Sequence, residues 1–146
     1  MPEPIGNPSH ITELDIRTWL RDRDPEANLL LDDYEFTPEE IRSAMNLAVD
    51  KFNETPPYLN QFHYNVTTFP YRSYFILGTA ANLMYMAAHR FRRNSLNYTI
   101  PGGTVNDQEK YREYDNAGDR LMREYTEWIT RAKRSLNMET GWSLMT

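Results

Sequence analysis

Apolar residues recur every three to four positions along most of the chain, and this period predicts amphipathic α-helices. The clearest helix start is FTPEE, where Thr37 can cap, Pro38 suits the first turn and Glu40 completes a capping box. The helix that it opens should end before the segment TPP at residues 55–57. Its apolar face holds Ile41, Ala44, Met45, Ala48 and Phe52.

Further helices are predicted on both sides of this one. Thr12 caps a short helix with Asp15 three residues later, and RDRDPEANLLLDD predicts a turn followed by another short helix. Pro70 precedes the most apolar helix, from Tyr71 to about Arg93. Its apolar core, FILGTAANLMYMAA, is shorter than the about 20 residues that cross a bilayer, so we expect a buried central helix with Leu83 in the core.

A change from helical to alternating spacing predicts a β-hairpin at about residues 95–107. Leu96, Tyr98 and Ile100 alternate with polar residues, PGG turns the chain, and Val105 lies on the return arm. A short strand is also predicted at residues 63–68. The last and longest helix follows the hairpin, with apolar or small residues at steps of three or four: Tyr111, Tyr114, Gly118, Leu121, Tyr125, Trp128 and Ala132.

These elements together predict a mainly α fold, a bundle of four to five helices with a long C-terminal helix and a protruding β-hairpin. Residues 1–10 contain three prolines and are predicted to form an extended arm, residues 11–138 a single helical domain, and residues 139–146 a C-terminal tail.

The length of the last helix predicts contact with a neighbouring subunit. About 30 residues span roughly 45 Å, whereas a compact chain of this size is about 40 Å across. The helix should therefore extend past its own domain, where another subunit can cover its apolar stripe, or bend at Gly118. The alternative is that it ends early, near Ser135.

Composition and charge narrow the class of protein. The chain has 146 residues, no cysteine and a net charge of −5, which excludes disulfide scaffolds and thiolate chemistry. Residues 1–60 carry thirteen acidic against five basic side chains, and residues 61–146 carry eight against eleven. Complementary halves can associate head to tail, while strong binding to nucleic acid is not expected. MPEPIGNPSH is unlike a signal peptide, which indicates an intracellular or virion protein.

The sequence predicts no catalytic, metal or cofactor site. The three histidines lack partners at ligand spacing, and no phosphate-binding glycine loop is present. The acidic pairs Glu109/Glu113 and Glu124/Glu127 have the spacing used by all-helical, metal-dependent nucleotide hydrolases. Arginines and lysines are interleaved with both pairs, which is typical of a solvated helix face. We therefore keep the hydrolase only as the least favoured alternative.

The sequence does have features that are typical of protein-interaction surfaces. Thirteen arginines against three lysines, together with Tyr and Trp, is a composition enriched at protein interfaces. The candidate assembly residues lie on the hairpin and in the tail: Leu96, Tyr98, Ile100, Val105, Trp142, Leu144 and Met145.

The chain resembles the small head–tail connector (adaptor, neck) proteins of tailed bacteriophages. The features that carry the resemblance are FTPEEIRSAMNLAVDKFNETPP, then PYRSYFILGTAANLMYMAAHRFRRN, the hairpin and the long amphipathic helix, over most of residues 11–135. The marked Pro-Gly-Gly turn and the longer last helix depart from typical members.

The resemblance implies a non-enzymatic virion protein that forms a dodecameric ring beneath the portal and joins it to the tail or neck. Its partners would be itself, the portal protein and tail or neck proteins, with DNA passing through unbound, no membrane, and synthesis in the host cytoplasm. An acidic lining would repel DNA, and the candidate channel-facing residues are Asp22, Asp24, Asp32, Asp33 and Glu35. The alternative is a helical binding or regulatory module acting on a host protein.

Overall fold

The structure, a computed structural model, describes residues 11–22, 35–57, 63–93, 97–100 and 103–145, with the side chains of 97–108 and 140–145 left out. This part of the chain forms a helical bundle, as predicted. The elements are α1 (Glu13–Leu20), α2 (Pro38–Glu54), α3 (Arg72–Arg93), β1 (Asn97–Ile100), β2 (Gly103–Asn106) and α4 (Asp107–Met145).

The helix starts follow from the capping residues read in the sequence. Thr12 and Asp15 form a reciprocal capping box on α1, in which the Thr12 N–H donates to the Asp15 carboxylate at 2.8 Å. The Glu40 N–H donates to the Thr37 hydroxyl at 3.2 Å, and Pro38 lies in the first turn of α2. Helix α1 ends at Leu20, and the residue that caps it, Arg21, has a left-handed backbone with φ of 62°.

The core lies between α2, α3 and α4. Leu83 of α3 and Tyr125 of α4 are fully buried. Every residue predicted for the apolar face of α2 is buried as well, which confirms that prediction. Aromatic rings fill the space around Phe52, which packs on Phe69 with ring centroids 5.2 Å apart and on Trp128 at 5.7 Å.

Two glycines let α3 and α4 approach closely in antiparallel order. A Cβ on Gly78 would lie 2.8–3.0 Å from ring atoms of Tyr125. Further along, a Cβ on Gly118 of α4 would lie 3.0 Å from the ring of Tyr85 on α3. On each helix, a glycine thus leaves room for a tyrosine of the other helix. Gly118 is a packing position on a helix that continues well beyond it.

Strands β1 and β2 pair antiparallel between the end of α3 and the start of α4. Asn97 lies opposite Asn106, and Tyr98 lies opposite Val105. Within the described part of the chain, these strands contact each other far more than they contact any helix.

Four local predictions are wrong or lie outside the described residues. Residues 63–68 form a turn instead of a strand, because the Asn65 side chain accepts the N–H groups of Thr67 and Thr68 at 2.9 and 3.0 Å. Helix α4 continues through residues 139–145, which were predicted as a tail, and it does not end near Ser135. That stretch has no proline, and its one glycine costs only about 1 kcal/mol. The arm at 1–10 and the short helix in RDRDPEANLLLDD fall mainly outside the described residues.

Candidate assembly surfaces

The bundle has two distinct ends, joined by α4. At the strand end, α3 finishes, the strands follow and α4 begins; there Phe91 of α3 stacks on Tyr114 of α4 with centroids 5.3 Å apart. At the extension end, α2 finishes and α3 begins, and Tyr71 packs against Trp128 of α4 at 4.9 Å. The α4 residues between 107 and 133 span about 40 Å at 1.5 Å per residue, which sets the separation of the two ends.

A polar cluster holds the start of α2 at the strand end. The Asp22 carboxylate accepts the backbone N–H groups of Glu35 and Phe36 at 2.8 and 3.0 Å. The Arg17 guanidinium donates to the same carboxylate at 3.0 Å, and both side chains are buried. Arg17 also pairs with Glu13 at 2.8 Å. Loss of either charge from this buried pair would be costly, because the remaining buried charge would lose a partner. The pair therefore fixes the geometry of the cluster.

The cluster continues to α3 and α4 through Glu35. Tyr114 donates its hydroxyl to the Glu35 carboxylate at 2.7 Å, and Arg90 donates to the Glu35 carbonyl at 2.9 Å. Burial and the acidic partner raise the pKa of Tyr114 well above its usual range, so its hydroxyl stays a donor. The segment at 35–36 is therefore joined to three helices.

These contacts correct one sequence prediction and bear on a second. Asp22 was predicted to face a channel, which is wrong, because it is only 6% exposed and bonded within its own subunit. Glu35 is half-buried, and its carboxylate accepts the hydroxyl of Tyr114. Asp24, Asp32 and Asp33 lie outside the described residues.

At the extension end, a buried lysine caps α2. The Lys133 ammonium donates to the carbonyls of Asn53, at 3.5 Å, and Thr55, and lies 4.9 Å from the centre of the Phe52 ring. A cation is favourable at the carbonyl end of a helix. Burial lowers the pKa of this ammonium. Lys133 thus fixes α4 against the last turn of α2, a role that its place in the sequence did not predict.

Beyond Lys133, α4 continues for twelve residues, 134–145, which we call the α4 extension. Met138 is 64% exposed, the largest exposure among the large hydrophobic residues described. At the base of the extension, an open groove of about 610 Å³ lies between α4 and the turn after α2. Its lining is Pro56, Pro57, Thr130, Arg134, Asn137 and Met138.

The predicted assembly residues fall into two groups that the fold keeps apart. Tyr98, Ile100 and Val105 belong to the strands at one end, whereas Trp142, Leu144 and Met145 belong to the α4 extension at the other. Leu96 and the side chains of all these residues lie outside the description.

Sequence reasoning missed the groove at Pro56-Pro57 and the polar cluster. The signal for the groove was present, since a proline pair follows α2 and a long helix was expected to extend past its domain. No comparable signal marks the cluster, because Asp22 meets Glu35 and Phe36 across thirteen and fourteen residues of chain.

The acidic pairs considered for metal chemistry lie on the solvent side of α4. Glu109, Glu113, Glu124 and Glu127 are all exposed. Among the side chains that the structure describes, no three histidines or carboxylates come together where they could hold a metal ion. None of the described helices has both the length and the apolar composition that a membrane span requires.

No family model, no curated protein and no solved structure matches this chain.

Proposed function

We propose that this chain is a non-enzymatic structural protein of a virion, a head–tail adaptor that forms a ring beneath the portal and joins it to the tail or neck. It would be made in the host cytoplasm and act in the neck of the particle. The proposal rests on the sequence resemblance and on the placement of the candidate contact elements at opposite ends of one bundle.

The observation that carries the proposal is the placement of α4. This helix starts directly after the paired strands and ends in an extension beyond Lys133, about 40 Å away along the helix. A subunit with separate contact elements at two ends can bind one ring above and another below. An enzyme of this size would instead be expected to gather its polar groups in one cleft.

In this proposal the first contact element is the hairpin at the strand end, which we expect to protrude. A two-stranded hairpin alone is marginal in water, so its apolar residues require a packing partner. Among the residues that the structure describes, β1 and β2 form a sheet of two strands, so each has an outer edge that could accept a strand from a neighbour. We assign this element to contact with the portal or the adjacent subunit.

DNA would pass through the ring without being held. The net charge of −5 and the alternation of acids and bases on α4 oppose tight phosphate binding. Asp24, Asp32 and Asp33 remain the candidate lining. We expect duplex DNA to bind more weakly than micromolar at physiological ionic strength, measured by fluorescence anisotropy over a salt series.

The experiment that tests the proposal is electron microscopy of the purified protein, alone and added to portal rings, compared with a variant that has a Gly/Ser loop in place of residues 96–105. We expect rings or portal-bound density from the natural chain and neither from the variant. The variant should keep its helical circular dichroism and cooperative melting. Unimpaired docking by the variant would remove the role assigned to the hairpin, and a natural chain that never docks would refute the adaptor.

A second candidate, a binding module for a host protein, is favoured by one surface. On the short helix α1, Leu14 is 51% and Trp19 is 48% exposed. Aromatic side chains of this kind are frequent hot spots of protein interfaces. If the adaptor proposal is correct, the Leu14→Ser and Trp19→Ser variants should still dock on the portal. If instead the natural chain does not dock and these variants lose binding to a host protein, the binding module is favoured.

A further inference from the structure

Four exposed arginines form a regular pattern on the outer face of α4. They come as two pairs, Arg120/Arg123 and Arg131/Arg134, and the second pair follows the first after eleven residues. Eleven residues are close to three full turns of helix, so the pairs lie in one line about 16–17 Å apart. None of these arginines forms an ion pair with a residue that the structure describes. We call this line the arginine stripe.

The outer face of α2 carries exposed acids with the same spacing. Glu39 and Asp50 are also eleven residues apart, and Glu54 lies one turn beyond Asp50. The spacing places all three opposite the buried face of α2, with the basic residues Arg42 and Lys51 at the two edges. Within the described part of the chain, none of the three acids is ion-paired. We call them the acidic stripe.

An apolar groove on α4 and an exposed leucine on α2 lie at corresponding levels. The open groove, which we call the α4 groove, has a volume of about 400 Å³ and a mostly apolar lining of Thr126, Glu127, Thr130 and Arg131. Leu47 is 47% exposed and follows Glu39 by eight residues. The middle of the groove follows the middle of the first arginine pair by about seven residues. Aligning the charges therefore aligns the leucine with the groove.

We propose that the arginine stripe of one copy of this chain binds the acidic stripe of a second copy, with α4 and α2 parallel and Leu47 seated in the α4 groove. In this register, Glu39 lies at the first arginine pair and Asp50 at the second. An antiparallel contact would align the charges equally well, but Leu47 would then lie about four residues, or about 6 Å, from the middle of the groove. The position of the groove therefore favours the parallel direction.

A parallel contact is also the one that a ring requires. Within one subunit, α2 and α4 both run from the strand end to the extension end, since Tyr114 bonds to Glu35 at one end and Lys133 to Asn53 at the other. Rotation about an axis along the helices brings α2 of one copy beside α4 of the next without reversing either. The two stripes are different surfaces, so the contact is heterologous and closes a ring or continues as a filament. The inference thus rests on the proposed ring and names the surfaces by which its subunits meet.

Nucleic acid fits the arginine stripe less well than a second copy does. Glu124 and Glu127 are exposed on the same side of α4 and would repel a phosphate backbone. In the proposed contact, Glu124 lies level with Arg42 of the second copy, because each follows the first aligned charge by about three residues. The acids of α4 thus gain a partner in the protein contact and lose by a contact with phosphate.

Sedimentation velocity over a concentration series tests the contact with two charge reversals, Arg131→Glu and Asp50→Arg. We expect the natural chain to associate, less strongly as salt is raised, and each variant alone to associate about tenfold more weakly. An equimolar mixture of the two variants should associate like the natural chain, because each then meets its complement. The matched control is Arg93→Glu, at an exposed arginine that ends α3, and it should change nothing. A natural chain that stays monomeric, or a mixture that does not recover, overturns the inference.

A second pair of variants tests the α4 groove. Leu47→Ser should weaken association several-fold, because it removes the side chain that fills the groove. Leu14→Ser, at a leucine of α1 that is 51% exposed, should associate like the natural chain. Both positions are exposed, so helical circular dichroism should be unchanged. Normal association of Leu47→Ser overturns the proposed register.

Cysteine cross-linking tests the direction of the helices, because the chain has no cysteine of its own. Asp50→Cys mixed with Arg131→Cys should oxidise to a linked dimer. Glu39→Cys mixed with Arg131→Cys should not, since these positions would lie about 16–17 Å apart along the helices and a disulfide needs Cα atoms within about 7 Å. The opposite result would indicate an antiparallel contact and overturn the proposal.

Duplex DNA and portal rings give separate readouts. If Arg131→Glu associates normally but loses DNA binding, the contact between copies is wrong and the arginine stripe belongs to phosphate. If the natural chain docks on portal rings while both charge reversals associate normally, the adaptor is supported and the contact is refuted. If association depends on the stripes but the natural chain never docks, the contact stands and the adaptor is refuted.

Discussion

Replacing Gly78 by alanine is expected to destabilise the protein, although the same change usually stabilises a helix. The new Cβ would lie 2.8, 2.9 and 3.0 Å from three ring atoms of Tyr125. That ring is fully buried and its hydroxyl donates to the Ala48 carbonyl, so it cannot move aside freely. Overpacking of a core costs about 1–3 kcal/mol, and the tight contacts at this site place its cost in the upper half of that range. The better helix propensity of alanine offsets about 1 kcal/mol of this cost. We expect a net loss of about 1–2 kcal/mol.

Gly118→Ala is the matched control on the facing helix. Its Cβ would meet Tyr85 at 3.0 Å and the Met84 Cβ at 3.4 Å. Tyr85 is only half-buried, and the Asp119 carboxylate that accepts its hydroxyl at 2.7 Å is exposed, so the ring and its partner can shift together toward solvent. The overpacking cost of about 1 kcal/mol should then nearly cancel the gain in helix propensity of about 1 kcal/mol, leaving Gly118→Ala close to the natural chain.

Urea unfolding followed by circular dichroism measures both variants, with the free energy taken from the midpoint and slope. A double-mutant cycle identifies the cause, because Tyr125→Phe removes the hydroxyl that fixes the ring and should reduce the cost of Gly78→Ala. If Gly78→Ala is as stable as the natural chain, or if its cost is unchanged in the Tyr125→Phe background, the reasoning from ring fixation is refuted.

Three other predictions test the core, the polar cluster and one tyrosine. Leu83→Ala should lose about 2–5 kcal/mol of unfolding free energy, because the side chain is fully buried, and an unchanged urea midpoint would contradict this. Asp22→Asn should lower the free energy of unfolding by about 3 kcal/mol, the lower end of the range for a broken buried pair, because Arg17 keeps Glu13 as a partner. The control Glu13→Gln, on the exposed side, should cost about 1 kcal/mol or less. Burial and a hydrogen bond to an acidic partner raise the pKa of Tyr85 to about 12, above the usual value of about 10. The folded state therefore keeps a proton that the unfolded state loses, and stability should fall as pH rises from about 10 to about 12. Tyr85→Phe should reduce that fall in stability. In a titration followed by tyrosinate absorbance near 295 nm, the variant should lack one tyrosine that ionises late, and an unchanged titration would contradict the raised pKa of Tyr85.

Local signals explain why much of the fold could be predicted. Thr37 and Pro38 mark the start of α2 through chemistry that acts within one turn, and the spacing of Ile41 to Phe52 defines a face regardless of what covers it. Leu83 was placed in the core for the same reason. The strand expected at residues 63–68 failed because Asn65 offered the backbone a local hydrogen-bonding alternative.

Contacts between distant segments explain what could not be predicted. Asp22 is one of many acids in its half of the chain, and nothing nearby distinguishes it as the partner of Phe36. Lys133 stands between Ala132 and Arg134 in a charged stretch, yet it is buried because α2 ends beside it. The end of α4 was not marked by a local signal, since the helix continues through residues 139–145 although they include a glycine at 141.

Because α4 is continuous, a movement at one end of the bundle can be transmitted to the other end. One unbroken helix, Asp107–Met145, connects the strands proposed to contact the portal with the α4 extension at the other end of the bundle. If α4 tilts by about 5° around its contact at Gly118, its far tip moves by about 3–4 Å, since 27 residues at 1.5 Å form the longer arm. A small rotation imposed at the strand end would therefore be transmitted to the other end, and Tyr125, Trp128 and Lys133, which contact α2 and α3, would have to move with α4.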